Sequence, residues 1–254
     1  MTDPYSRLNY RRLIAWPERI EREWPFFEKL LHKAPSNRLL DLGCGTGEHA
    51  RFLVSKDFEV VGIDRSKEML QSARDQPLPA GLELIEGDLR QLDQLVEGSF
   101  GGAICLGNTL PHLTDIEGLG AFLAAARKHL LSDATLTLQL LNYDRIFDKQ
   151  ERSLPVNFRH DPDVEGGEIV FLRLMDLRQD GTVGFFPTTL LFRPDHDPPL
   201  EVKATKRVEV RGWRSKQVEK ALETAGFESV TLYGSYDDEP FASDSSRDLI
   251  VVAR

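Results

Sequence analysis

Apolar residues in this chain fall into short runs separated by charged stretches, and the rhythm of those runs changes twice. Near the N-terminus, Pro17 is followed by Ile20, Trp24, Phe27, Leu30 and Leu31, the spacing of one helix face with proline in its first turn. Compact runs then alternate with helical patterns. Strands are predicted over Arg38 to Leu42, Glu59 to Ile63, Leu82 to Glu86, Phe100 to Leu106 and Ala134 to Leu141. Helices are predicted over Glu48 to Ser55, Ser66 to Arg74 with Ser66 as N-cap, and Glu117 to Leu130. The run at Phe100 is apolar enough for a strand buried on both faces. From about 142 to 212 the rhythm changes. Ile169 to Leu177, Val183 to Phe192 and Leu200 to Val210 read as three long antiparallel strands, with turns at Asp180-Gly181 and across Pro194 to Pro199. A helix over Ser215 to Ala225, closed by Gly226, and strands over Phe227 to Tyr233 and Leu249 to Ala253 restore the first rhythm.

This order predicts an α/β fold. Its core is a seven-stranded, mostly parallel sheet with helices on both faces, and an antiparallel β insertion follows strand five. The length, 254 residues, suits a single domain running from 1 to 254 with the insertion inside it. Net charge is -9, which argues against a nucleic-acid partner because such binding rests on phosphate neutralisation. No apolar run is long enough for a membrane span, and the first residues lack a secretory pattern. Two cysteines, Cys44 and Cys105, suggest a reducing, cytoplasmic setting without a disulfide framework. No HxxxH or CxxC spacing supports a metal site.

The chemistry concentrates at Asp41-Leu42-Gly43-Cys44-Gly45-Thr46-Gly47, where a strand runs directly into a glycine turn and a helix. Glycines there permit a tight turn and close approach of a ligand to the backbone. A dinucleotide fingerprint has glycine or alanine in the sixth position. Here that position is Glu48, whose carboxylate would repel a pyrophosphate at the helix start. An NAD(P)-dependent oxidoreductase is therefore disfavoured. Asp64 ends the second strand, where an acid can accept both hydroxyls of a ribose.

The G-x-G-x-G turn with its preceding acid resembles motif I of the class I S-adenosylmethionine-dependent methyltransferases, a Rossmann-like fold. The resemblance covers residues 36 to 141. Phe100 to Leu113, FGGAICLGNTLPHL, is similar to the glycine and sarcosine N-methyltransferases, except that Gly101 stands where those strands usually carry aspartate. The resemblance implies S-adenosylmethionine as cofactor and a small-molecule methyl acceptor, most simply an amine. It implies that Gly43, Cys44, Gly45 and Gly47 wrap the methionine part and that Asp41 reaches its amino group. Asp64 and Arg65 would meet the ribose, Met69 the adenine, and Gly87, Asp88 and Leu89 the adenine and its amino group. Leu106 and Gly107 would lie below the methyl donor, with Asn108, His112 and Tyr143 orienting the acceptor. For Met69, His112 and Tyr143, ordinary packing is an equal reading. The N-terminal helix, within residues 1 to 35, resembles a lid. On it Arg19, or equally Arg22, would hold the ligand's carboxylate, and Tyr10 would cover the sulfonium. Arg173 or Arg178 of the insertion would hold an acceptor carboxylate, and the insertion is a candidate surface for self-association. Methyl transfer by in-line displacement needs alignment and exclusion of water, with no essential nucleophile or metal. A non-catalytic S-adenosylmethionine-binding module is the alternative.

Overall fold

The structure is a computed structural model, and it describes residues 14–161 and 163–254. Two sheets organise it. The first has seven strands: β1 (Arg38–Leu42), β2 (Glu59–Asp64), β3 (Leu82–Glu86), β4 (Phe100–Cys105), β5 (Leu130–Leu141), β11 (Val230–Tyr233) and β12 (Asp248–Ala253). Their order is β11-β12-β5-β4-β1-β2-β3. All neighbours pair in parallel except at β12, which runs antiparallel to both β5 and β11. The order reverses between β1 and β4, so their C-terminal ends open a crevice.

Alternation along the strands sends neighbours to opposite faces. Leu40, Leu42, Ile63 and Leu136 face helices α5 (Ile116–His129) and α7 (Ser215–Thr224), which contribute Phe122, Leu123, Val218 and Leu222. Leu39, Val60, Ile104 and Ile250 face the other way, towards α1 (Trp16–Leu31), α2 (Glu48–Val54) and α3 (Lys67–Arg74). Helix α1 docks there through Phe26, Phe27 and Leu31, all at most 5% exposed. Each such side chain contributes about 2 kcal/mol of burial. Among the described residues two short α-helices complete the set, α4 (Leu92–Leu95) and α6 (Tyr143–Asp148).

The second sheet differs from the three long strands read in the sequence. It holds β6 (Asn157–His160), β7 (Glu168–Leu177), β8 (Thr182–Phe192), β9 (Leu200–Thr205) and β10 (Val208–Arg211). The expected Leu200-to-Val210 strand is two strands, both paired to β8. The break lies opposite Pro187, which has no N–H to give the ladder; the Lys206 amide donates to the Pro187 carbonyl at 3.2 Å as the chain passes. The sheet is tied to the core by Met175, Val183, Val208 and Val210. Buried Trp213 donates through Nε1 to the Leu113 carbonyl at 2.9 Å, fixing the end of the insertion to the segment after β4.

Asn142, directly after β5, opens a helix. Its side chain accepts from the Arg145 amide at 3.1 Å and donates to the Ser246 carbonyl at 2.8 Å. Gly101 acquires a reason in packing. A Cβ there would lie 2.0 Å from the Ser36 carbonyl oxygen, in the turn leading to β1. Substituting Gly101→Ala forces that backbone aside. We expect a loss of about 1–3 kcal/mol, read as a melting temperature lower by several degrees; an unchanged melting temperature would mean that the strand does not press against Ser36.

Candidate functional site

A cleft opens at the C-terminal ends of β1 to β4 and encloses about 1140 Å³ of space, part of it continuous with solvent. Its floor is the glycine turn, its far wall the ends of β2 and β3, and its near wall the segment after β4. Helix α1 closes one side with Trp16 and Arg19.

The three turn glycines do different work. All have positive φ: 80° at Gly43, 55° at Gly45 and 78° at Gly47. A Cβ on Gly43 would meet Thr109 at 2.3 Å, so Gly43 is a packing requirement. At Gly45 none of the described residues lies within 4 Å of where a Cβ would stand, which leaves space among them directly over the backbone. Gly47 supplies the left-handed N-cap of α2 and does not line the cleft. The Gly43 and Cys44 amides both donate to the Ile63 carbonyl, at 2.7 and 3.0 Å, which draws the turn over the end of β2. The Cys44 side chain packs beside Gly62, so this residue meets the cleft chiefly through its backbone.

Asp41 forms part of the floor and is 2% exposed. Its Oδ2 atom has no hydrogen-bond partner among the described residues. Burial pushes its carboxyl up to about 6; nearby His49 works against that shift and Asp64 adds to it. A buried carboxylate oxygen without a donor costs about 1–3 kcal/mol. The cleft therefore presents an acceptor that a cationic donor would satisfy.

Asp64 is aimed by two backbone donors, Gly45 to Oδ2 and Ser66 to Oδ1, each at 2.8 Å. Ser66 in turn caps α3 by accepting from the Met69 amide at 3.0 Å. Asp88 is held by Arg90 through Nη2 at 2.5 Å and Nε at 3.0 Å, and that pairing keeps its carboxyl below the ordinary range. Across the mouth Arg65 lies 3.3 Å from His112 Nδ1. Arginine can only donate, so Nδ1 carries the lone pair and Nε2 the proton in the neutral ring.

The tip of β4 is held from β5. Gly107 donates its amide to Gln139 Oε1 at 2.8 Å, and Gln139 donates on to Asp248 at 3.0 Å. Asn108 is left-handed at φ 64°, accepts from the Leu141 amide at 3.1 Å and donates to the Tyr143 hydroxyl at 3.1 Å. Tyr143 is 1% exposed, and burial pushes its phenol well above the ordinary value.

Of the residues predicted from sequence, Arg19, Asp41, Gly43, Cys44, Gly45, Asp64, Arg65, Met69, Gly87, Asp88, Leu89, Leu106, Gly107 and His112 line the cleft. Gly47, Asn108 and Tyr143 do not; Gly47 serves the helix start, and the other two brace one another behind the wall. Arg19, and not Arg22, faces the space. Tyr10 lies outside the described residues. Arg173 donates to the Pro155 carbonyl at 3.0 Å, and Arg178 pairs with Glu209 at 3.0 Å, both within the second sheet. The sequence reading missed Trp16, Thr46, His49, Ser66, Arg90, Thr109 and Leu113 on the wall. Ser66 and Arg90 each stand two residues after a predicted acid and were findable from that; the helix-borne Trp16 and His49 carried no local signal.

Known proteins place this geometry. A profile described as a methyltransferase domain matches residues 39–133. The glycine/sarcosine N-methyltransferase of Aphanothece halophytica is 28% identical over 231 residues, covering 89% of this chain and 79% of that protein. That of Halorhodospira halochloris is 36% identical over 138 residues, 54% of this chain and 52% of its own length. Among solved structures, an S-adenosylmethionine-dependent methyltransferase from Clostridium acetobutylicum shares the fold with a TM-score of 0.72 at 17% identity, covering 98% of this chain and 95% of that one. An amino pentose methyltransferase from Micromonospora echinaspora, solved with S-adenosylmethionine bound, does so with a TM-score of 0.71 at 20% identity, covering 100% and 98%. The strand order, the left-handed glycine turn at the end of β1 and these likenesses converge: residues 39–133 match a methyltransferase domain, and the fold is one shared with S-adenosylmethionine-dependent methyltransferases.

Proposed function

We propose that this enzyme methylates the nitrogen of a small amine, an amino acid or amino sugar, using S-adenosylmethionine. The observation that carries the reading is the buried Oδ2 of Asp41, without a donor among the described residues, beside the space those residues leave over Gly45. A pyrophosphate would bring negative charge to that oxygen, whereas the α-ammonium of S-adenosylmethionine brings a donor. Glycine and sarcosine are the acceptors named for two relatives and an amino pentose for a structural neighbour, which supports an amine as the nucleophile.

The residues fit the cofactor end by end. Asp41 would take the ammonium and Arg19 the carboxylate. Asp64, oriented by two amides at the end of β2, would meet the ribose hydroxyls. Met69 and Leu89 would flank the adenine and Asp88 accept from its amino group, while Arg65 stands at the mouth. When bound, S-adenosylmethionine supplies an electrophilic methyl group on a sulfonium. The acceptor's nitrogen lone pair forms the new N–C bond as the S–C bond breaks. What the chain does is align and exclude water. Leu106 and Gly107 form the ledge at the β4 tip, held by Gln139, and His112 lines the cleft beside Arg65. Asn108 and Tyr143 act behind that ledge, as positioning residues.

Asp41 gives a signed pH dependence. Its carboxyl in the free protein titrates near 6, above its ordinary 3.8. For the free protein this group's contribution to stability is therefore greatest below the ordinary carboxylate range and is lost as pH rises through about 6. Binding an ammonium favours the ionised form, so affinity runs the opposite way. The thermal shift produced by S-adenosylhomocysteine should be larger at about pH 7.5 than at about pH 5. Asp41→Asn should flatten that difference and weaken binding by roughly 10–100-fold; a variant that binds as tightly as wild type would remove Asp41 from the site.

Activity is checked with methyl-labelled S-adenosylmethionine and panels of glycine-like amines and amino sugars. Label should appear in an N-methyl product. A chain that binds the cofactor yet labels no amine across broad pools would point to a binding module instead.

A further inference from the structure

One cluster beside the cleft is not used by the steps above. Glu23 lies on α1, is 2% exposed, and faces the start of α2. Both of its oxygens are taken. Arg19 Nε donates to Oε1 at 2.7 Å, and His49 Nε2 lies 2.8 Å from Oε2. Burial opposes ionisation of Glu23, but the His49 hydrogen bond and the Arg19 charge outweigh it and hold the carboxyl below its ordinary value. Trp16 completes the cluster, packing edge-on against His49 at 5.5 Å and under the Arg19 guanidinium at 5.2 Å.

The arrangement joins two otherwise separate elements. Arg19 belongs to the lid helix. His49 belongs to the first turn of the helix that the glycine turn launches, and it lies close enough to Asp41 to act on its charge. Arg19, Glu23, His49 and Asp41 thus form a chain of alternating basic and acidic groups along one side of the cleft. Tyr236, in the loop after β11, and Asp248, at the start of β12, lie near enough to feel the Arg19 charge.

We propose that Glu23 is a positioning residue: by clasping Arg19 and His49 together, it sets the span between the group that takes the cofactor's carboxylate and the one that takes its ammonium. The inference rests on the cofactor reading above. It makes the lid helix a ruler for the amino-acid end of the ligand rather than a general cover. A buried carboxylate on an otherwise apolar helix face would be a poor choice for docking alone, because an apolar side chain packs there without desolvation.

The test compares two ligands. S-adenosylhomocysteine carries the amino-acid end; 5′-methylthioadenosine keeps adenine, ribose and sulfur but lacks it. Glu23→Gln should weaken S-adenosylhomocysteine about tenfold or more while leaving methylthioadenosine within about twofold. His49→Gln, which removes the clasp from the α2 side, should show the same split and serves if the Glu23 variant does not fold. Because Glu23 acts through Arg19, adding Glu23→Gln to Arg19→Met should cost little further S-adenosylhomocysteine affinity. Equal loss for both ligands, or losses that add in the double variant, would overturn the proposal. If the wild-type protein binds neither nucleoside, the cofactor reading fails and takes this inference with it; that outcome is distinct, because it precedes any substitution.

Discussion

Everything at the site follows from a carboxylate buried where none of the described residues gives one of its oxygens a donor. Asp41 is the residue before last in β1, and its neighbours Leu40 and Leu42 are fully buried. It cannot turn to solvent without dislodging the strand. Beyond it the chain must reverse sharply over the end of β2, which only left-handed backbone allows, and glycine supplies that conformation. The same reversal brings the Gly45 amide to Asp64 and clears the space above Gly45. One turn therefore aims the second acid, exposes backbone to a ligand and leaves the first acid wanting a cation.

The remaining elements brace that arrangement from three directions. Behind the β4 tip, Gln139 holds Gly107 and passes its own amide to Asp248, so the ledge is fixed from the neighbouring strands. Below, Asn108 and Tyr143 lock the left-handed step that follows. From the side, Trp213 anchors the second sheet to Leu113 on the cleft wall. None of the described insertion residues lines the cleft itself. The acceptor-binding role expected of Arg173 and Arg178 has no support in their positions, since both are engaged within their own sheet.

The parts legible in the sequence are those governed by short-range rules. The strands of the first sheet were readable because buried parallel strands are uninterrupted apolar runs, and the turn was readable because positive φ selects glycine. Asp64 and Asp88 were readable from their places at strand ends. Long-range pairings were not. The break opposite Pro187 needs knowledge of which strand proline faces. Tyr143 was ambiguous because a strand end and a helix start share the same apolar pattern, and only the Asn142 cap decides between them. Glu23 and His49 lie 26 positions apart, and no local pattern links a lid-helix glutamate to a histidine in another helix.

The sharpest test of the Asp41 account counts protons. S-adenosylhomocysteine is titrated calorimetrically near pH 6 in buffers of different ionisation enthalpy. An ammonium settling on Asp41 lowers its pKa, so binding should release a fraction of a proton in the wild-type protein and none in Asp41→Asn. Binding with no proton exchange, or the same release from the asparagine variant, would show that the ligand's amino group does not rest on this carboxylate.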